Sequence, residues 1–289
     1  MPLVTTKPLV DKAFANGYAI AAMNSNGGNY DIMRACLETA QEMRAPFIIN
    51  CYAKNARYAG MGFVAHSARW LINQFAPDIP VAIHLDHGQT FADCVDAVRA
   101  GFTSIMCDGS ELPLEENLAL TQKVVEIAQA VGVSVEAELG QLLHGEADPD
   151  SPLLVQVEEV QQFIAAVKVD MLAIAIGNSH GYYKGEPQIN LERLKEVRAV
   201  TDVPLVLHGC TGMPEATVRE CISLGMAKIN FGTNSHGYYK GEPQINLERL
   251  KEVRAVTDVP LVLHGCTGMP EATVRECISL GMAKINFGT

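Results

Sequence analysis

Three histidines, His87, His180 and His208, each close a short apolar run and each precede a glycine. Neutral imidazole is a good zinc ligand, and three protein ligands leave a fourth position open for substrate. A lone histidine in such a place more often caps a strand or bonds a loop; three at equivalent places favour a metal. Asp86 stands directly before His87. A carboxylate beside a metal-bound oxygen suits proton transfer, and its competing role is to orient a histidine. Strand side chains alternate in direction, so Asp86 and His87 can share one site only if the strand ends there. His84, three residues before His87, is expected in the structural wall, and His66 and His144 are read as structural. Two further turns, Gly209-Cys210-Thr211-Gly212 and Asn230-Phe231-Gly232-Thr233, are small enough for backbone N–H groups to approach an anion such as phosphate.

These residues need a frame that brings run ends together. Apolar runs occur at Ala19–Asn24, Pro46–Cys51, Val81–Asp86, Ser104–Asp108, Ser134–Glu138, Met171–Ile176, Pro204–His208 and Ala227–Phe231. Near-continuous apolar runs predict parallel strands buried on both faces. Between them lie helical spacings, as in Glu115–Val131 and Asn190–Val200. Eight strands alternating with helices predict an α/β fold, the (β/α)8 TIM barrel, whose active site lies where strands end. A doubly wound open sheet is disfavoured because no GxGxxG follows the first strand. The chemistry-bearing residues sit at the predicted ends: Asn24 on strand one, Asp86 and His87 on three, Asp108 on four, Glu138 on five, His180 on six, His208 on seven and Asn230 on eight. The turns after strands seven and eight are the usual phosphate position of such a barrel.

The 289 residues carry a formal charge of −11, which argues against a nucleic-acid or anionic-membrane partner but leaves room for an anionic substrate. No apolar stretch is long enough to span a bilayer, and the N-terminal residues lack the pattern of a signal peptide. Eight cysteines without CxxC spacing read as reduced thiols in a cytoplasm. All but Cys210 are read as small buried hydrophobes.

Residues 234–289 repeat residues 178–233 letter for letter. Each copy holds six Lys/Arg and six Asp/Glu, so the net charge lies in residues 1–177. Two copies do not make a solenoid, which needs about three or more units. The expected organisation is a barrel over 1–233 followed by the repeat, whose helix near Asn246–Val256 could cover the last strand. The strand-like runs Pro260–His264 and Ala283–Phe287 have no place in a closed eight-stranded barrel. The repeated histidines His236 and His264 come without a second HLDH, so no second site is expected.

The ordered set HLDHG at 84–88, DGS at 108–110, VEAELG at 135–140, His180-Gly181, LHG at 207–209 and KIN at 228–230 resembles the class II fructose-bisphosphate/tagatose-bisphosphate aldolase family over residues 1–233. The resemblance implies a lyase that cleaves a ketose 1,6-bisphosphate to dihydroxyacetone phosphate and an aldehyde phosphate. It implies Zn2+ on His87, His180 and His208, with Asp108 and Glu138 serving a second divalent or monovalent cation. Asp86 would donate a proton at the oxygen partner of the nascent aldehyde during cleavage, and Glu146 would act on the dihydroxyacetone-phosphate carbon. Gly181, Gly209, Cys210, Thr211, Asn230, Phe231, Gly232 and Thr233 would bind dihydroxyacetone phosphate, with Asn24 added as a substrate contact. A homo-oligomer and closing helices after strand eight also belong to the family pattern. The chain departs from that pattern with Tyr52 in place of a common serine, with Cys210-Thr211 after LHG, and with Asn230-Phe231-Gly232-Thr233 after strand eight. The alternatives are an aldolase for another phosphorylated keto-sugar and a barrel used only for binding or assembly, or disabled by its duplication; bound metal without turnover on any ketose phosphate would mark the latter.

Overall fold

A computed structural model describes residues 2–144, 148–180, 187, 189–232, 250, 251, 255, 261–263, 271–280 and 282–285, with the backbone alone at Leu143, His144, His180, 261–263, 284 and 285. The chain divides into two compact units, Met1–Thr233 and Asn234–Thr289.

In the first unit the runs rich in Ile, Val, Leu and Ala form eight strands: β1 (Ile20–Asn24), β2 (Phe47–Tyr52), β3 (Val81–Gly88), β4 (Ser104–Cys107), β5 (Ser134–Leu139), β6 (Met171–Ile174), β7 (Leu205–Leu207) and β8 (Met226–Phe231). They pair in parallel in the closed order β1-β8-β7-β6-β5-β4-β3-β2, which is the expected barrel. Closure comes from Ile20↔Lys228 through Met23↔Phe231 between β1 and β8. The strands that complete the barrel, β7 and β8, are therefore those of the first copy of the repeat.

Helices follow the strands: α2 (Tyr30–Met43) after β1, α3 (Ala53–Ala59) and α4 (Met61–Phe75) after β2, α5 (Phe91–Ala100) after β3, α6 (Leu114–Val131) after β4, α7 (Val157–Ala166) after β5, α8 (Leu191–Val200) after β6 and α9 (Glu215–Ser223) after β7. Each buries one stripe. In α2 the stripe is Met33, Leu37 and Ala40, with the Asn29 side chain accepting the Ile32 N–H at the N-terminus. Thr90 and Asp93 form a reciprocal cap on α5.

Period-two alternation along each strand makes two cores. Outward residues such as Ile49, Ile83, Leu85, Ile105 and Leu172 pack under the helices. Ala22, Ile48, Ala82, Met106, Ala173 and Val206 instead cluster with Leu9, Val10 and Ala13 of α1 (Lys7–Asn16), so α1 packs on the apolar part of the barrel interior. On the same inward positions further along the strands, Ala82 gives way to His84 and Asp86, and Ser134 to Glu136 and Glu138. The barrel interior thus grades from apolar to ionisable toward the C-terminal strand ends.

The motif glycines serve packing. A Cβ on Gly88 would lie 2.8 Å from the Met106 carbonyl oxygen. Gly140 has φ +74° and would meet the Val155 nitrogen at 2.7 Å, so no other residue fits there without displacement.

In the second unit β9 (Leu261–Leu263) and β10 (Met282–Ile285) pair in parallel across α10 (Glu271–Ser279). Their register, Leu261↔Met282 then Val262↔Lys284, reproduces that of β7 and β8, including its irregularity. Identical sequence has given an identical local unit. His236 and His264 lie outside the described residues.

Among the described residues no helix is long and apolar enough to cross a membrane. Cys51, Cys94, Cys107, Cys210 and Cys221 are buried free thiols, Cys277 is buried, and Cys36 is half-buried. Burial pushes the Cys51 thiol up to about 11 and that of Cys221 to about 12, so both are inert at neutral pH.

Candidate active site

The C-terminal ends of β3, β4, β5, β7 and β8 bring Asp86, His87, Asp108, Glu138, His208 and Asn230 together. Ligand-capable atoms of Asp86, His87 and His208 lie within 4.8 Å of one another, and so do those of His87, Asp108 and Glu138. His87 belongs to both sets. Its ring meets that of His208 at a centroid distance of 4.8 Å and that of Tyr52 at 6.0 Å, both edge-on.

Asp86 and His87 share the site although β3 continues to Gly88. Two features permit this. The β3–β4 register slips between Leu85 and Gly88, and His87 takes φ +53°, a left-handed backbone that non-glycine residues rarely adopt. The kink breaks the alternation that would otherwise send His87 outward. Strain of this kind, about 1–3 kcal/mol per residue, persists where surrounding structure enforces it.

Hydrogen bonds fix the ring orientations. His87 Nδ1 lies 2.7 Å from Asp108 Oδ2 and 3.7 Å from Glu138 Oε2. Ser110 donates its backbone N–H and its hydroxyl to Asp108 Oδ1. His208 Nε2 lies 2.9 Å from Glu136 Oε1; a carboxylate oxygen there accepts an N–H, which assigns the proton to Nε2 and the lone pair to Nδ1. Asn230 Nδ2 lies 3.2 Å from Asp86 Oδ1, 3.3 Å from His208 Nδ1 and 3.1 Å from His208 Nε2. The Asn178 amide donates to the His208 carbonyl.

Electrostatics follow from burial and crowding. Burial works against a charged His87, but Asp86, Asp108 and Glu138 outweigh it and hold its pKa up to about 10. Burial likewise opposes ionisation of Asp108, yet the His87 and Ser110 hydrogen bonds keep it well below the usual carboxylate range. Burial, with Asp108 close by, pushes Glu138 well above its ordinary value. Glu138 Oε2 is buried with no hydrogen-bond partner among the described residues. A proton on His87 does the charge balancing that a cation would do. Imidazole and carboxylate donors with one unsatisfied buried oxygen fit a zinc-class ion.

One prediction arises here. Binding a divalent cation through His87 must displace its proton, so below about pH 10 protons compete with metal. Apparent metal affinity should rise by about tenfold per pH unit between roughly pH 6 and 9, with about one proton released per ion. Calorimetry in buffers of different ionisation enthalpy reads that proton count, and a flat profile would contradict the assignment.

The remaining sequence candidates divide. Asn24 ends β1, its Oδ1 accepting the Asn26 N–H. Ser179–His180 pairs in parallel with Leu143–His144, and only the backbone of His180 is described. Glu146, Gly181 and Thr233 lie outside the described residues. The turns after β7 and β8 are joined, for the Gly232 N–H donates to Thr211 Oγ1 at 2.8 Å, beside Gly209 with φ +70°. Cys210 departs from the expectation. Its side chain sits in the outer core, its thiol bonds the Leu207 carbonyl, and its N–H is donated to the Asn230 carbonyl. It thus has no polar donor left for a substrate, and burial raises its pKa. Phe231, next after the inward Asn230, packs against the outer core, so only its backbone remains as a contact.

His84 lies in the wall as expected, fully buried 2.7 Å from Ser104 Oγ. Glu136 and Lys228, which carry no expected role, are completely buried and joined at 2.8 Å beneath His208. The signal was present: Glu136 stands two residues before Glu138, on the same face of β5, and Lys228 two before Asn230 on β8.

The profile of the family "Fructose-bisphosphate aldolase class-II" matches residues 4–234, and matches again over 231–289. This chain belongs to the class II fructose-bisphosphate aldolase family. It is similar to the fructose-bisphosphate aldolase of Staphylococcus epidermidis, 43% identical over 238 residues, covering 81% of this chain and 82% of the relative. The fructose-bisphosphate aldolase of Staphylococcus aureus matches with the same identity and coverage. Among solved structures, the YdjI aldolase of Escherichia coli K12 superposes with a TM-score of 0.70 at 28% identity, covering 96% of this chain and 92% of that one. The chain is an enzyme, a class II aldolase and therefore a carbon–carbon lyase.

Proposed function

We propose that this aldolase cleaves a ketose 1,6-bisphosphate, fructose or tagatose, to dihydroxyacetone phosphate and glyceraldehyde 3-phosphate, with zinc held by His87, His180 and His208. The observation that carries the proposal is the convergence of Asp86, His87 and His208 at the strand ends of a barrel in this family. Asp108 and Glu138, with His87, form the place for a second cation. When bound, zinc supplies Lewis acidity that stabilises the negative charge of the enediolate left by cleavage.

The chain's own residues do the rest. Cleavage requires the C4 hydroxyl to lose its proton as the C3–C4 bond breaks. Asp86, which accepts the Asn230 amide hydrogen bond, is assigned to take it; the carboxylate therefore accepts a proton in the direction of cleavage, rather than donating one as expected, and donates only in the reverse, bond-forming direction. Glu146 is assigned the proton returned to C3 of the dihydroxyacetone phosphate. The turns of Gly209, Thr211 and Gly232 are tied together by the Gly232 N–H donated to Thr211 Oγ1, and the backbone N–H groups of Gly209 and Thr211 are assigned to a phosphate. The relatives named fructose-bisphosphate aldolase favour fructose as the sugar.

A lysine Schiff base is the other known chemical solution to this cleavage. Lys228, the lysine on β8, is fully buried and held by Glu136. Borohydride added during turnover should therefore leave activity intact and no sugar attached to the protein. Covalent trapping on Lys228 would overturn the metal reading. Initial rates on the two sugar bisphosphates, measured side by side, rank the substrates.

A further inference from the structure

The cluster under the site is more than packing. Four ionisable side chains from four strands, His84 (β3), Glu136 (β5), His208 (just past β7) and Lys228 (β8), are each at most 1% exposed. Lys228 Nζ donates to Glu136 Oε2 at 2.8 Å, while Glu136 Oε1 receives His208 Nε2–H at 2.9 Å. His84 Nε2 stands 3.5 Å from the same Oε2, too far for a hydrogen bond, and has no hydrogen-bond partner among the described residues. Glu136 thus lies beside two imidazoles, and the ammonium held on Oε2 leaves Oε1 for that of His208.

We propose that Lys228 is a positioning residue: by anchoring Glu136 it fixes His208 as the Nε2–H tautomer, so that Nδ1 is the nitrogen presented as a metal ligand. Outer partners that set a ligand's tautomer typically govern affinity by about 10- to 100-fold. A buried carboxylate is also tolerated only when its charge is balanced. Lys228 supplies that charge without approaching Asp86, His87 or Asp108 by any recorded hydrogen bond or ion pair among the described residues. The inference rests on the proposed use of His208 as a ligand, but its first readout does not need metal.

The experiment compares the full-length chain with Lys228→Met and with Lys228→Met/Glu136→Gln. In the double variant the buried pair is neutral, and the glutamine oxygen can still accept the His208 proton. Long-range ¹⁵N–¹H NMR on metal-free protein reports the ring tautomer of His208, assigned by the loss of its signals in His208→Ala. The wild type should show the Nε2–H pattern. Lys228→Met should lose it and bind zinc about 10- to 100-fold more weakly. The double variant should regain the pattern and return to within roughly threefold of wild-type affinity. Because it carries the same change at 228, a folding defect would persist in it, whereas loss of positioning would be rescued. An unchanged tautomer and unchanged zinc affinity in Lys228→Met would overturn the proposal, and so would a double variant no better than the single. If His208→Ala leaves zinc affinity unchanged, the ligand assignment fails, and the NMR pattern alone then decides whether Lys228 sets the tautomer.

Discussion

Replacing His87 by alanine is expected to strip the site of metal and lower the cleavage rate by at least about 10³-fold. His87 is the one residue common to both groups of ligand-capable atoms, so its loss takes a donor from each. Lewis-acid stabilisation of developing charge contributes several kcal/mol, and about 1.4 kcal/mol corresponds to a factor of ten in rate. The fold should survive. His87 sits at φ +53°, where its side chain is paid for by local contacts rather than by backbone preference. His87→Asn keeps a residue tolerant of that conformation while removing the imidazole, and should lose metal equally. Metal content by atomic absorption and kcat on fructose 1,6-bisphosphate check both variants. Full zinc occupancy in His87→Asn would remove His87 from the ligand set.

The second large effect is expected at Asp86. Asp86→Asn preserves shape and can still accept the Asn230 amide hydrogen bond recorded at 3.2 Å, but it cannot take a proton. General acid–base groups contribute about 10²- to 10⁴-fold, so kcat should fall within that range while zinc stays bound and KM changes little. This combination separates the two residues: His87 variants lose metal and rate together, whereas Asp86→Asn loses rate alone. If Asp86→Asn instead lost its zinc and kept its rate per bound metal, the carboxylate would be a ligand and not the proton-transfer group.

The barrel was legible because buried parallel strands leave a plain mark. The expected run Val81–Asp86 lies within β3, and Ala227–Phe231 within β8. Where the two differ, side chains have replaced ladder bonds. The run Met171–Ile176 ends as a strand at Ile174, and the Ile176 N–H is donated to the Asn178 side chain. Histidines and carboxylates at strand ends were equally readable, since topology alone gathers them. Three things were not. The kink that turns both Asp86 and His87 inward depends on a left-handed histidine, a backbone state that few non-glycine residues adopt and that sequence pattern does not mark. Cys210 follows the glycine turn after β7, but its N–H and thiol are both used by neighbouring carbonyls, a matter of tertiary placement. Lys228 and Glu136 looked like ordinary charged residues until the barrel closed around them, 92 positions apart in the chain.

The most direct test of the central claim is cleavage of fructose 1,6-bisphosphate by the full-length protein, before and after EDTA and after zinc is returned. The account predicts turnover that EDTA abolishes and zinc restores, at about one essential ion per site. Cleavage that persists undiminished in metal-free protein would contradict it.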